Sequence, residues 1–170
     1  MSRMDFSTKT FGRLLEREPM ALAKVSGSPE YPGISGWVSF YQTAYGTLVA
    51  AEIEGLPHHE GTCQNHFFGF HIHAGGRCAG NAEDPFADTG MHYNPNQCLH
   101  PQHAGDLPPL LEEDGKAWMA VLSGQFDVRD VLGRSVVIHT DPDDFHTQPA
   151  GNSGKKMACG IILPVRRPPV

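Results

Sequence analysis

The stretch FGFHIHAGGRC, Phe68 to Cys78, places two histidines two residues apart in a segment that reads as a β-strand. Side chains alternate between the faces of a strand, so His71 and His73 point one way and Phe70 and Ile72 the other. Neutral imidazoles side by side on one face can ligate a metal, whereas two charged ones would repel. Taken alone the tripeptide fits equally a pair of half-exposed surface histidines, because a single H-x-H is a weak motif.

Further donors lie downstream. The segment MHYNPNQCLHPQHAGDLP carries His92, His100, His103 and Asp106 in a loop rich in proline and glycine. His100, His103 and Asp106 recur every three residues, a spacing that can close around a cation. His139 ends SVVIHT, where Val136 and Ile138 face one side and His139 the other. Asp143 and Asp144 follow closely, placed to accept the second N–H of a ligating imidazole and fix its tautomer. Six imidazoles and one carboxylate exceed what one four-coordinate site can use. Two sites sharing a histidine can use them all: an all-imidazole set with an open position, suited to Cu(II), and an N₃O set suited to zinc.

The elements that must position these residues are short strands. A chain of 170 residues, 39% hydrophobic and 19% charged with 19 glycines and 14 prolines, fits one loop-rich, mostly β domain. MALAKVSG, GISGWVSFYQT and GTLVAAEIEGLP read as a meander with one buried face, and the Tyr45–Gly46 turn joins the last two. KAWMAVLS, GRSVVIHT and MACGIILPV read as later strands. Residues 74–109 hold no strand or helix of useful length, which in a compact domain requires a functional loop fastened by something else. Residues 1–19 read as an N-terminal extension with a helical turn or two in TFGRLLERE, ahead of a single domain over 20–170.

The net charge of −6 and the absence of a basic arm give no support for nucleic-acid binding. No run reaches the apolar length of a transmembrane helix. MSRMDFSTKTFGRLLEREPM contains acidic residues and no apolar core, so the chain as written reads as cytoplasmic, with an extracytoplasmic location left open.

Taken together, GFHIHAGGRC, HYNP, HPQHAGDLP, SVVIH and GNSGKKMACGII resemble the copper/zinc superoxide dismutase family, in the family's order and over roughly residues 21–163. The resemblance implies an all-β, eight-stranded Greek-key β-barrel with long metal-binding and electrostatic loops. It implies copper held by His71, His73, His92 and His139, and zinc held by His92, His100, His103 and Asp106, with His92 bridging. It places Asp143 behind one copper and one zinc histidine, and it pairs Cys78 with Cys159 in a disulfide. The implied activity is conversion of superoxide to oxygen and hydrogen peroxide by Cu(II)/Cu(I) cycling, with His92 as proton carrier and zinc structural. The implied partners are the superoxide anion and, in a homodimer, a second copy.

Two departures from the family pattern stand out. Where the family carries an arginine three residues before the last cysteine, this chain has Lys156, with Lys155 beside it. Lysine keeps the charge that docks an anion but loses the planar fork of donors, so activity is expected at a reduced rate. Cys63 and Cys98 form an additional pair, expected to make a second bridge; the alternative is Cys98 as a thiolate ligand. His58, His59, His66 and His146 read as surface or loop residues. The alternative to the enzyme is a copper-binding or copper-handling superoxide dismutase-like protein with weak or no dismutase activity.

Overall fold

The computed structural model describes residues 6–61 and 63–165. Helix α1 (Thr8–Leu15) is capped by the Ser7 side chain, which accepts from the Thr10 N–H. Strands β1 (Ala21–Gly27), β2 (Ser35–Thr43) and β3 (Gly46–Glu54) form the expected meander. Strands β4 (Phe67–Phe68) and β5 (Phe70–His73) are one run interrupted at Gly69. Strand β6 (Leu110–Leu111) pairs with β4, and β7 (Lys116–Ser123), α2 (Val128–Val131), β8 (Ser135–His139) and β9 (Lys156–Pro164) complete the chain. With β4 and β5 counted as one, the described strands number eight, as expected.

The main sheet runs β5–β8–β9–β1–β2–β3–β7, every pair antiparallel. It curls into a half-barrel whose open side is approached by the β4–β6 pair beside β7. Period-two alternation explains the curl's contents. Val38 and Phe40 of β2, Val49, Ala51 and Ile53 of β3, Val136 and Ile138 of β8, and Phe70 and Ile72 of β5 all enter one apolar core. At roughly 25 cal/mol per Å² of apolar surface removed from water, this face dominates the fold's stability.

The opposite faces have different fates. On β2, β3 and β7, α1 covers part of the outer face, where Phe11, Leu14 and Leu15 pack on Tyr41, Leu48, Ala50 and Leu122. The expected helix therefore exists, and it lies on the outer wall of the sheet. On β5 and β8 the outer face is buried beneath the segments 74–109 and 140–155, which contain little regular structure beyond a 3-10 turn at Ala87–Thr89. The Cys78–Cys159 disulfide fastens the first of these segments to β9, with a sequence separation of 81. Val137, Phe86, Cys78 and Cys159 pack together around it.

Candidate metal centre

Alternation on β5 and β8 decides which side chains meet beneath the two loops. His71 pairs in register with Val137 and His73 with Ser135, so His71, His73 and His139 share the outer face. The long loop adds its residues through a short backbone ladder. Tyr93 N–H donates to Ile72 O, Ile72 N–H to Gly105 O and Gly105 N–H to Tyr93 O, each at 2.8 Å. These bonds set His92 opposite His73 and Asp106 opposite His71. Gly105 has to be glycine here, since a Cβ would collide with the Ile72 carbonyl.

Two donor groups result. His71, His73, His92 and His139, all buried, bring one ring nitrogen each within 4.8 Å of one another. His92, His100, His103 and Asp106 do the same with a ring nitrogen or carboxylate oxygen. His92 belongs to both. All seven residues singled out by spacing are therefore brought together, in the sharing pattern that the sequence suggested.

Hydrogen bonds engage one ring nitrogen of His71, His73 and His100 and turn the other toward the donor groups. Asp143 accepts from His71 Nε2 at 2.7 Å and from His100 Nε2 at 2.8 Å. His73 Nδ1 donates to Gly90 O at 2.8 Å, which leaves its Nε2 as a lone pair 3.2 Å from His139 Nε2. His92 turns Nδ1 toward Asp106, at 2.7 Å from Oδ1, and Nε2 toward the other group. Buried His71 Nδ1, His92 Nε2, His100 Nδ1 and His103 Nδ1 have no hydrogen-bond partner. His100 Nδ1 and His103 Nδ1 stand 3.0 and 3.3 Å from Asp106 oxygens, but off the hydrogen-bonding direction. Buried polar atoms are almost always satisfied, so four orphaned nitrogens within the two donor groups fit ligation of metal ions. Imidazole lone pairs with one carboxylate are the donors that copper and zinc take.

Electrostatics favour the ligand-ready form. Burial holds His71 below the ordinary imidazole range despite the Asp143 hydrogen bond. His73 and His139 lie well below it, through burial first and then the neighbouring imidazoles. All three are thus neutral. Burial by itself would raise the Asp143 and Asp106 carboxyls. Bonds to His71, Phe145 N–H and His100 outweigh it for Asp143, and His92 with the other zinc-side imidazoles outweighs it for Asp106, so both stay ionised.

Lys156 is less free than expected. Its Nζ donates to Asp84 Oδ2 at 2.8 Å and to Phe86 O at 3.2 Å, and its side chain is mostly buried. The charge still acts on His139, whose imidazolium form it disfavours. Exposed Lys155 lines a cavity with Lys156, Asp84 and Gly154. The Gly154 carbonyl is 3.5 Å from His139 Nδ1, so the cavity floor adjoins the first donor group. Asp84 was not singled out beforehand; an acid 72 positions from Lys156 leaves no local signal.

The expected Cys63–Cys98 bridge is absent, and both thiols are free. Cys63 is exposed on the 55–66 segment, whereas Asn94 ties Cys98 into a tight turn of the long loop through bonds to its N–H and C=O, both 2.9 Å. The two loops present their cysteines to different surroundings. Nor does Cys98 join the His92, His100, His103 and Asp106 group.

A curled antiparallel half-barrel carrying two imidazole-rich donor groups that share a histidine defines a class of two-metal β-barrel protein. The family model described as copper/zinc superoxide dismutase matches residues 34–162, and the chain belongs to that family of oxidoreductases. It is 34% identical over 150 residues to the Cu-Zn superoxide dismutase of Deinococcus radiodurans, covering 76% of this chain and 77% of that protein. It is 32% identical over 161 residues to the extracellular Cu-Zn superoxide dismutase of Rattus norvegicus, covering 86% of this chain and 63% of that protein, under two thirds of its length. Among solved structures, the Cu/Zn superoxide dismutase of Brucella abortus superposes with a TM-score of 0.70 at 27% identity, covering 83% of this chain and 98% of that one. A mutant of a superoxide dismutase-like protein from Bacillus subtilis gives 0.68 at 26%, covering 84% and 96%.

Proposed function

We propose that the chain is a working superoxide dismutase that converts two superoxide anions and two protons to oxygen and hydrogen peroxide. The observation that carries this reading is the shared His92, with Nε2 orphaned among the imidazoles of one group and Nδ1 turned to Asp106 in the other. We assign His71 Nδ1, His73 Nε2, His92 Nε2 and His139 Nε2 to copper, and His92 Nδ1, His100 Nδ1, His103 Nδ1 and Asp106 to zinc. When bound, copper supplies one-electron oxidation and reduction, while zinc, without redox chemistry of its own, fixes the far side of His92.

The chain's own residues do the rest. Asp143 holds His71 and His100 at one orientation, so the two groups keep a constant separation. The two loops exclude water from the imidazoles. When Nε2 is not ligating, His92 would hold a proton there and pass it to the reduced product, the second proton coming from solvent. Lys156 and Lys155 attract the anion and guide it past Gly154, with the Asp84 carboxylate offsetting part of that pull.

Two complete donor groups weigh against a protein that only handles copper. Dismutation by copper- and zinc-loaded protein, with Lys156→Arg and His139→Ala in parallel, separates the readings. Activity that rises with the arginine and disappears without His139 supports the enzyme; none in the loaded wild type leaves metal binding alone. Among the described residues no helix is long and apolar enough to cross a membrane. The Cys78–Cys159 disulfide supports an oxidising, extracytoplasmic compartment over the cytoplasmic expectation. The proposal also includes residues 1–19 as an extension to a single domain over 20–170, and a homodimer, which sedimentation velocity reads directly.

A further inference from the structure

Among the described residues one more cluster has metal-ligand chemistry, and it uses none of the seven donors above. His58 Nδ1 lies 2.7 Å from Glu112 Oε1, and His66 Nδ1 lies 2.9 Å from Glu112 Oε2. One donor atom of each residue falls within 4.8 Å of the others. His58 and His66 were expected to be surface histidines without a role, and Glu112 carried no signal at all. The fold brings them together: Glu112 follows β6, His66 precedes β4, and the Glu112 N–H donates to His66 O at 2.7 Å at the end of that ladder.

The burial is uneven. The Glu112 side chain is fully enclosed, with no exposed surface, while both imidazoles are about one-third exposed, at 34%. The Gly115 N–H donates to Glu112 Oε1, and the ion pairs of Glu112 are with these two histidines. An enclosed carboxylate needs positive charge beside it. No Lys or Arg supplies it among the described ion pairs, so it must come from the imidazoles or from an ion they hold. Asp114 and Glu60 add negative field around His58, which also favours a cation there.

We infer that His58, His66 and Glu112 form a third metal site, for zinc(II), distinct from the paired centre. Two imidazole nitrogens and one carboxylate oxygen are the donor set that zinc accepts, and the exposed side of the rings leaves a fourth position to water. Bonds of about 2.0–2.1 Å to a tetrahedral ion put neighbouring donors roughly 3.3 Å apart. The 2.7 and 2.9 Å separations of the two Nδ1 atoms from the Glu112 oxygens, and the 4.8 Å limit within which the three donors lie, are close to that spacing, so half-exposed rings can adjust to it with loss of the Nδ1 protons. The site lies at the other end of the β4–β5 run from His71. Five residue steps separate His66 from His71, at most roughly 17 Å at strand rise. Bound there, zinc fastens the 55–66 segment to the turn between β6 and β7.

Copper- and zinc-loaded protein titrated with further Zn(II), by calorimetry and by elemental analysis after dialysis, tests the site. The expected result is one additional equivalent in the wild type. In the His58→Gln/His66→Gln double variant it should be lost or weakened at least tenfold, with dismutase activity unchanged. The glutamine amides can still donate to the enclosed Glu112, and circular dichroism checks that the variant folds; Glu112→Gln, checked in the same way, is a second test and should also lose the additional equivalent. No additional equivalent in the wild type overturns the inference, as does an equal equivalent in the double variant. The readout is the difference of one zinc between wild type and variant, so it stands whether or not the paired centre turns over superoxide.

Discussion

Buried Asp143, part-exposed Asp84 and mostly buried Lys156 govern the chemistry at the scale of single residues. Asp143 receives both a first-group and a second-group imidazole. Its freedom is bounded by Gly151, at φ 65°, where a Cβ would collide with Asp143 Oδ1 and lie 2.6 Å from His100 Nε2. Gly151→Ala is therefore expected to displace Asp143 and weaken metal retention about 10- to 100-fold, measured by competition with a chelator. Unchanged retention would remove Asp143 from its positioning role. Asp84 opposes Lys156 in the cavity beside His139. Asp84→Asn is expected to raise kcat/KM roughly two- to fivefold at low ionic strength, the scale of one unit charge a few ångströms away, and to lose the advantage in high salt. A fall in kcat/KM instead would mean that Asp84 serves mainly to aim Lys156.

At the scale of elements, the loop over the first donor group is organised by its own side chains. Asp144 accepts from the Thr147 hydroxyl at 2.5 Å and from the Thr147 and His146 N–H groups, which holds its carboxyl down to about 2. A carboxyl lowered on folding contributes stability that is present above its unfolded value, about 3.9, and is lost as pH falls through about 2. The Asp144 turn should therefore persist at pH 4 and open below pH 2. Thr147→Val, which removes the hydroxyl donor, is expected to return Asp144 toward 3.9 in an NMR titration. Gln148 adds a further tie between loops, since its amide donates to His100 O at 2.7 Å and accepts from His100 N–H at 2.9 Å. Strand alternation supplies three imidazoles, and these loop contacts hold the others in place.

The whole molecule depends on one covalent tie and on the ions its donor groups take. The Cys78–Cys159 bridge closes a separation of 81 residues, for which chain entropy alone gives about 4.5 kcal/mol of stabilisation. The Cys78→Ser/Cys159→Ser variant is expected to lose about that much in urea unfolding with metals present. A loss below about 1 kcal/mol would show that the metals alone fasten the long loop. Removal of the metals by chelation is expected to lower Tm, and restoring zinc should recover it with a dependence on zinc concentration, because an ion that binds only the folded state stabilises by mass action. Metal ligation would give partners to four buried ring nitrogens that have none within the protein.

The sequence by itself determined everything that a local rule governs. Period-two alternation and turn residues marked the long strands, and the same alternation put His71, His73 and His139 on the faces where they lie. The density of donors in HPQHAGD marked the loop that supplies the rest. Gly69 splitting one strand into two, and the two-residue β6, were not legible, because such short pairings take their stability from neighbours rather than from their own pattern. Only the tertiary structure decided which nitrogen of each imidazole is free, since that depends on Asp143, Gly90 and Asp106 contributed from elsewhere. Only it separated Cys63 from Cys98, joined Lys156 to Asp84, and enclosed Glu112 between His58 and His66. Those relations join residues tens of positions apart, and their energies come from burial and distance, which no single segment of the chain carries.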